Sequence, residues 1–199
     1  MSSKTVSEFA FEKFCSSNGL TYQKIVEGSD PTPDYVLTIN DMTIYVEVKQ
    51  IDEDVNFSSA RQTRSPGTHV RAKINEARDQ VRNASTNGFP AILLVYNNLD
   101  PLQRFGTEQH DFLAAMYGEL TMLVSVTPNS SSGVFHGRNR AFRENKNNSF
   151  SAVGRLYKDQ DSVAVHLYEN MYAKVPLNYG ALPPAIQYNR VETHDDENA

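Results

Sequence analysis

The stretch Thr32-Pro33-Asp34-Tyr35-Val36-Leu37-Thr38-Ile39-Asn40-Asp41-Met42-Thr43-Ile44-Tyr45-Val46-Glu47-Val48-Lys49 decides the fold. Two apolar, β-branched runs, residues 34–39 and 43–49, flank Asn40-Asp41, and both turn residues tolerate the left-handed backbone that a tight hairpin needs. Side chains alternate along a strand, so Ile44, Val46 and Val48 bury on one face while Tyr45, Glu47 and Lys49 share the other. With Asn40 and Asp41 as the turn, Ile39 faces Met42, and continuing the ladder sets Asp34 opposite Glu47. Opposed Cβ atoms lie about 4.5–5.5 Å apart. Two carboxylates at that distance repel each other unless a cation lies between them or one holds a proton.

Outward from the hairpin, residues 6–15 read as an amphipathic helix stopped at Asn18-Gly19, a good helix terminator. Glu8 and Glu12 stand one turn apart on it, and a solvated helix face is the ordinary reading of both. Downstream of a polar loop, residues 50–68, the spacing of Ile74, Ala77 and Val81 predicts a single helix over 70–82. Lys73, Ala77 and Gln80 fall nearly above one another on it. Residues 89–96 are a near-continuous apolar run bounded by Gly88 and Asn97-Asn98, as in a buried central strand. Following a helix, that strand is expected to run parallel to its neighbour. Further on, residues 107–119 read as a helix and 120–126 as a strand. Residues 150–157 and 162–168 read as a hairpin across 158–161.

Pro33-Asp34 followed by Glu47-Val48-Lys49 resembles the signature of the PD-(D/E)XK, or restriction-endonuclease-like, nuclease superfamily, and the order helix, strand, hairpin, helix, strand over residues 5–97 agrees with it. The resemblance implies an α/β fold with an αβββαβ core and a mixed central sheet flanked by helices, extended by C-terminal strands. It implies a nuclease that hydrolyses phosphodiester bonds with Mg2+ or Mn2+, acting on DNA in the first instance, in restriction, defence or DNA processing. Asp34, Glu47 and the Val48 carbonyl would be the metal ligands, and hard oxygen donors suit these ions. Lys49 would steady the attacking water or the developing charge. Glu8 occupies the place from which an N-terminal helix supplies a third acid in such enzymes. Gln80 is read either as a further catalytic member or as a plain surface residue. Ala84 stands where some branches of the superfamily carry tyrosine four residues after the glutamine. The competing class is a non-catalytic nucleic-acid-binding or assembly module that keeps the fold.

Composition agrees with an ordinary single domain over residues 1–190, with a core over about 5–126, a strand extension over about 127–190, and an acidic tail, 191–199, read as disordered. The net charge of −5 runs against a nucleic-acid partner, because phosphate neutralisation supplies most non-specific affinity. Part of it resides in the tail, however, and Arg61, Arg64, Arg71, Lys73, Arg78 and Arg82 gather between the metal strand and the apolar strand. Of these, Arg64, Arg71, Lys73 and Arg78 are the expected phosphate contacts. A second basic stretch, residues 138–146, reads as a long loop, and residues 58–68 as a lid that orders on substrate. The single cysteine, Cys15, faces the apolar side of the first helix and points to a reducing, cytoplasmic setting. No apolar run approaches a membrane span. No C-x-x-C or H-E-x-x-H spacing suggests zinc. His136 beside Asn139 lacks the partners of a histidine–asparagine nuclease, and His69, His110 and His166 are read as structural. Nucleic acid is the expected partner, with a homodimer or larger complex left open.

Overall fold

The computed structural model describes residues 4–26, 28, 30–52, 65–124 and 133–190. Helix α1 (Val6–Ser17) starts at Thr5, whose hydroxyl accepts the Glu8 N–H at 3.2 Å while the Glu8 carboxylate accepts the Thr5 N–H at 2.7 Å. This reciprocal capping box satisfies two backbone donors at once. The chain leaves α1 through Asn18 and Gly19, the latter at φ +63°, a left-handed turn that glycine adopts without steric cost.

Strand β1 (Thr21–Lys24) pairs antiparallel with β2 (Tyr35–Ile39), and β2 with β3 (Met42–Ile51). The turn between β2 and β3 is Asn40-Asp41, at φ 45° and 65°, and it sets Ile39 opposite Met42 and Tyr35 opposite Val46. Positive φ at both central residues is the mark of the type I′ turn, whose twist matches that of the strands.

The helix expected over 70–82 is bent into two, α2 (Thr68–Glu76) and α3 (Arg78–Thr86). The bend is at Ala77, with φ −87° and ψ 0°, and no glycine or proline marks it. The hydrogen bonds from the Ala77 N–H to the Lys73 carbonyl and from the Val81 N–H to the Ala77 carbonyl continue through it. The bend lets α2 lean on helix α4 (Gln109–Tyr117) while α3 lies along β3 and strand β4 (Ala91–Asn97).

All seven residues of β4 are buried, and it runs parallel to β3 as its sequence implies. After α4 comes a separate two-stranded ribbon, β5 (Leu120–Thr121) with β6 (Phe135–His136). The strand expected over 120–126 is thus short and stands outside the main sheet; Ser125 and Val126 lie outside the described residues. Strand β7 (Ala152–Asp159) returns to the sheet parallel to β4 and forms the expected hairpin with β8 (Ser162–Glu169). Strand β9 (Ile186–Asn189) closes it parallel to β8, giving the order β1-β2-β3-β4-β7-β8-β9. The architecture is mixed α/β, with a mixed central sheet flanked by helices.

Each face of the sheet carries its own core. Ile44, Val46, Val48, Ile92 and Leu94 pack with Phe11 and Phe14 of α1, while Leu93, Val95 and Val153 pack with Ile74, Val81 and Phe112 from the other helices. Alternation therefore directs Glu47 and Lys49 to the face covered by α2, α3 and α4. Cys15 is buried in the first core, where burial pushes its thiol up to about 12. Among the described residues, no helix is long and apolar enough to cross a membrane.

The glycine at the entry to α2 lies hard against the backbone of α4. Gly67 sits at φ +76°, its N–H donates to the buried Asp111 carboxylate at 3.1 Å, and a Cβ there would meet the Ala115 nitrogen at 2.5 Å. Gly67→Ala combines a disfavoured φ with a backbone clash, and is expected to cost more than about 1 kcal/mol. Urea unfolding reads this as a lower midpoint at unchanged m-value. A midpoint equal to that of the parent protein would mean that α2 shifts freely against α4.

Candidate active site

The site grows from the point where the β2–β3 ladder stops. Residues flanking a two-residue turn exchange both backbone hydrogen bonds, and bonded pairs then recur at every second position. Ile39 with Met42, Leu37 with Ile44 and Tyr35 with Val46 are such pairs. The next would join Val48 to Pro33, which has no N–H. The Val48 N–H, whose ladder acceptor would be the Pro33 carbonyl, donates to Asp34 Oδ2 at 2.8 Å. The Val48 carbonyl points to the same edge, toward a residue with no donor to give it. Asp34 is held from behind by its own carbonyl, which accepts the Ile25 N–H at 2.8 Å. One ladder step past Tyr35 and Val46, Asp34 and Glu47 fall at a non-hydrogen-bonded position, where facing side chains come closest.

Glu47 is 1% exposed. Its Oε1 pairs with Lys49 Nζ at 2.7 Å, while its Oε2 is buried with no hydrogen-bond partner among the described residues. An uncompensated buried carboxylate oxygen is costly, and the protonation balance reflects it. Burial first, and the charge of Asp34 second, push the Glu47 carboxyl up to about 7. Burial likewise raises Asp34, against the Val48 N–H and Lys49, which pull it down. For Lys49, burial pulls downward, but the carboxylates of Glu47, Asp34 and Glu76 outweigh it and leave the ammonium above the ordinary lysine range. Lys49 is therefore a cation and no ready general base.

These groups line a cleft of about 410 Å³ together with Asp30, Pro31, Thr32 and Gln80. Gln80 thus stands across the cleft from the acids, on α3. One turn on, Asn83 Nδ2 donates to the Pro31 carbonyl at 3.0 Å and fastens the 30–33 wall to that helix. Glu8 is close enough to raise Asp34 through its charge, yet it does not line the cleft. Its carboxylate is committed to the Thr5 N–H and, at 2.5 Å, to Lys24 Nζ. Despite burial, those hydrogen bonds hold it below the usual carboxylate range. Among the described residues, no three His, Cys, Asp or Glu side chains converge on one point. The donor set is two carboxylates and one backbone carbonyl, and the partnerless Glu47 Oε2 suits a small, hard divalent cation.

The expected basic wall is divided among several tasks. Arg71 ties α2 to its neighbours, donating through Nε to the Asn139 carbonyl at 2.8 Å and through Nη2 to the Ala114 carbonyl at 3.3 Å. Lys73 pairs with Glu76 at 2.9 Å. Arg78 donates through Nε to Asn147 Oδ1 at 3.0 Å and lines a different cleft. Arg61, Arg64 and the lid expected over 58–68 up to residue 64 lie outside the described residues. His136 Nδ1 lies 2.8 Å from the Gly118 carbonyl. Residues that the sequence reading passed over are Asp30, Thr32, Asn83 and Lys24. Of these, Lys24 carried a signal, since it pairs with Tyr35 across β1–β2 and so stands one step from Asp34.

Because the folded-state value of Glu47, about 7, exceeds its ordinary 4.5, the folded protein holds a proton that the unfolded chain releases. That contribution to stability, about 3 kcal/mol, is whole below pH 4.5 and is lost as pH rises through 7. Thermal melts of the metal-free protein are expected to lose stability over this window, and Glu47→Gln, which mimics the protonated form, to flatten the loss. Parallel curves for the two proteins would show Glu47 ionised throughout. Compared with models of protein families, with curated proteins and with solved structures, the chain gives no match.

Proposed function

We propose that the chain is a metal-dependent nuclease hydrolysing phosphodiester bonds, in DNA first, with its chemistry at Asp34, Glu47 and Lys49. The observation that carries this reading is the buried, partnerless Oε2 of Glu47 set against Asp34. A binding module has no use for two repelling carboxylates in one cleft, whereas a divalent cation makes that arrangement favourable. The order α1, β1, the β2–β3 hairpin, the α2–α3 pair and β4 supports the likeness to the PD-(D/E)XK superfamily.

Asp34, Glu47 and the Val48 carbonyl would hold Mg2+ or Mn2+, which when bound acidifies water and offsets charge on a phosphate. The chain's own groups do the rest. The Val48 N–H fixes one Asp34 oxygen, so the other is presented at a defined angle. Lys49, protonated and anchored by Glu47, places positive charge where a phosphorane-like oxygen gains negative charge. Gln80 supplies an amide that orients a water across the cleft, and the Asn83–Pro31 bond keeps the opposite wall at hydrogen-bonding range. Glu8 acts at one remove, by holding Lys24 beside Asp34. Of the expected phosphate contacts, Arg78 would act from the neighbouring cleft and Lys73 would have to leave Glu76, while Arg71 is engaged by the Asn139 and Ala114 carbonyls.

Duplex DNA incubated with Mg2+ or Mn2+ is the test. Cleavage by the parent protein should be abolished by EDTA and reduced about 100-fold or more by Asp34→Ala, Glu47→Ala or Lys49→Ala. Gln80→Ala should be milder, about 10-fold. Metal-independent DNA binding that survives these substitutions, without cleavage by any protein, would sink the enzyme reading and favour the non-catalytic module.

A further inference from the structure

A second cleft, of about 650 Å³, opens on the far flank of α3, between that helix and the chain around residues 145–150 and 174. Four of its lining residues are cationic, Arg78, Arg82, Lys146 and Lys174, and none is acidic. In a chain with 24 acids and 19 bases, an acid-free pocket with four cations departs from the average surface. Its floor is built rather than loose. Arg78 Nε is held by Asn147, which is 9% exposed, stands at φ 55° and donates through Nδ2 to the Ala141 carbonyl at 2.9 Å. Asn170 in turn donates to the Asn147 carbonyl at 3.3 Å. This fixes one edge of a guanidinium whose fork geometry suits phosphate. Arg82 pairs with Asp79 at 3.3 Å, but both are largely exposed, so that pair competes weakly for a ligand. The Ser85 hydroxyl lies on the same wall, whereas the Thr86 hydroxyl is spent on the Arg82 carbonyl, to which it donates at 2.9 Å.

The helix between the clefts sets their spacing. At about 100° per residue, Arg78 and Ser85 lie roughly 140–160° around α3 from Gln80. The two clefts therefore flank one helix, about 10–12 Å across with its side chains, close to the roughly 12 Å width of the major groove of B-form DNA. We propose that this cleft grips a second backbone phosphate of a double-stranded substrate, with α3 as the ridge between the strands and the reacting phosphate at Asp34 and Glu47. The inference deepens the nuclease reading and rests on it for the second strand's position. The cleft's own ligand is a phosphodiester.

Lys146 and Lys174 are exposed, so Lys146→Ala/Lys174→Ala leaves the Arg78–Asn147 anchor intact. Binding of a labelled duplex and of one of its single strands is followed by fluorescence anisotropy in EDTA, where no hydrolysis proceeds, over a range of salt. The double variant should bind duplex about 10-fold more weakly and flatten the slope of log affinity against log salt by about 2. The single strand should lose less. Hydrolysis of bis(4-nitrophenyl) phosphate with Mn2+, a substrate too small to reach the cleft, should be unchanged. Unaltered duplex affinity and slope overturn the proposal, as do equal losses on duplex and single strand. So does a nucleoside monophosphate that fills the cleft at micromolar concentration, seen by shifts in the NMR spectrum, while duplex affinity is unmoved in the variant. The two readings fail separately. Hydrolysis by the parent protein with duplex binding untouched in the variant removes the cleft and keeps the nuclease. Duplex binding that depends on Lys146 and Lys174, without hydrolysis by the parent protein, removes the nuclease and keeps the cleft as a phosphodiester site.

Discussion

The register of one hairpin governs the rest of the molecule. Asn40 and Asp41, both at positive φ, set Ile39 against Met42, and every later pairing on β3 follows from that. A slip of one residue would turn Glu47 and Lys49 into the core beneath α1 and move Ile44, Val46 and Val48 to the face under α2, α3 and α4. The apolar residues of β3 oppose such a slip, because their burial against Phe11 and Phe14 would be lost. The same hydrophobic pattern that stabilises the sheet therefore holds two acids together on its other face, where their mutual repulsion alone would drive them apart.

That repulsion is concentrated on a single group. Asp34 receives a backbone N–H and feels the charge of Lys49, whereas Glu47 has one oxygen on Lys49 and, among the described residues, no hydrogen-bond partner within normal range for the other. The folded state meets the cost by favouring a proton on Glu47 near neutrality. The core around β3 and β4 is dense enough to impose this; all seven residues of β4 are buried beside it. Stability and reactivity here pull in opposite directions, as is common where a scaffold holds charges ready for a ligand.

Much of this was legible in the order of residues. Period-two alternation and a two-residue Asn-Asp turn are local signals, and together they placed Asp34 opposite Glu47 with Lys49 alongside. The six apolar residues that open β4, Ala91 to Tyr96, announced a strand buried on both faces. The bend at Ala77 was not legible, since the sequence there reads as unbroken helix with no glycine or proline to mark a break. Arg71 looked like a phosphate contact because its charge is visible in sequence, while the carbonyls of Ala114 and Asn139 that occupy it are distant along the chain. Glu8 reads the same way. Its spacing from Gly19 suited a catalytic acid, but its partners, Lys24 and the Thr5 N–H, are set by how α1 meets β1. The wall at Asp30–Thr32 depends on Asn83 reaching across from α3, a contact that no periodicity encodes.

Pro33 has a consequence larger than its own size. Any other residue at that position would offer a backbone N–H to the Val48 carbonyl and let β2 and β3 zip one pair further, closing the corner with an ordinary sheet hydrogen bond. The corner at Asp34 is thus written into covalent structure: a single amide hydrogen, withheld, denies the Val48 carbonyl its partner in the ladder.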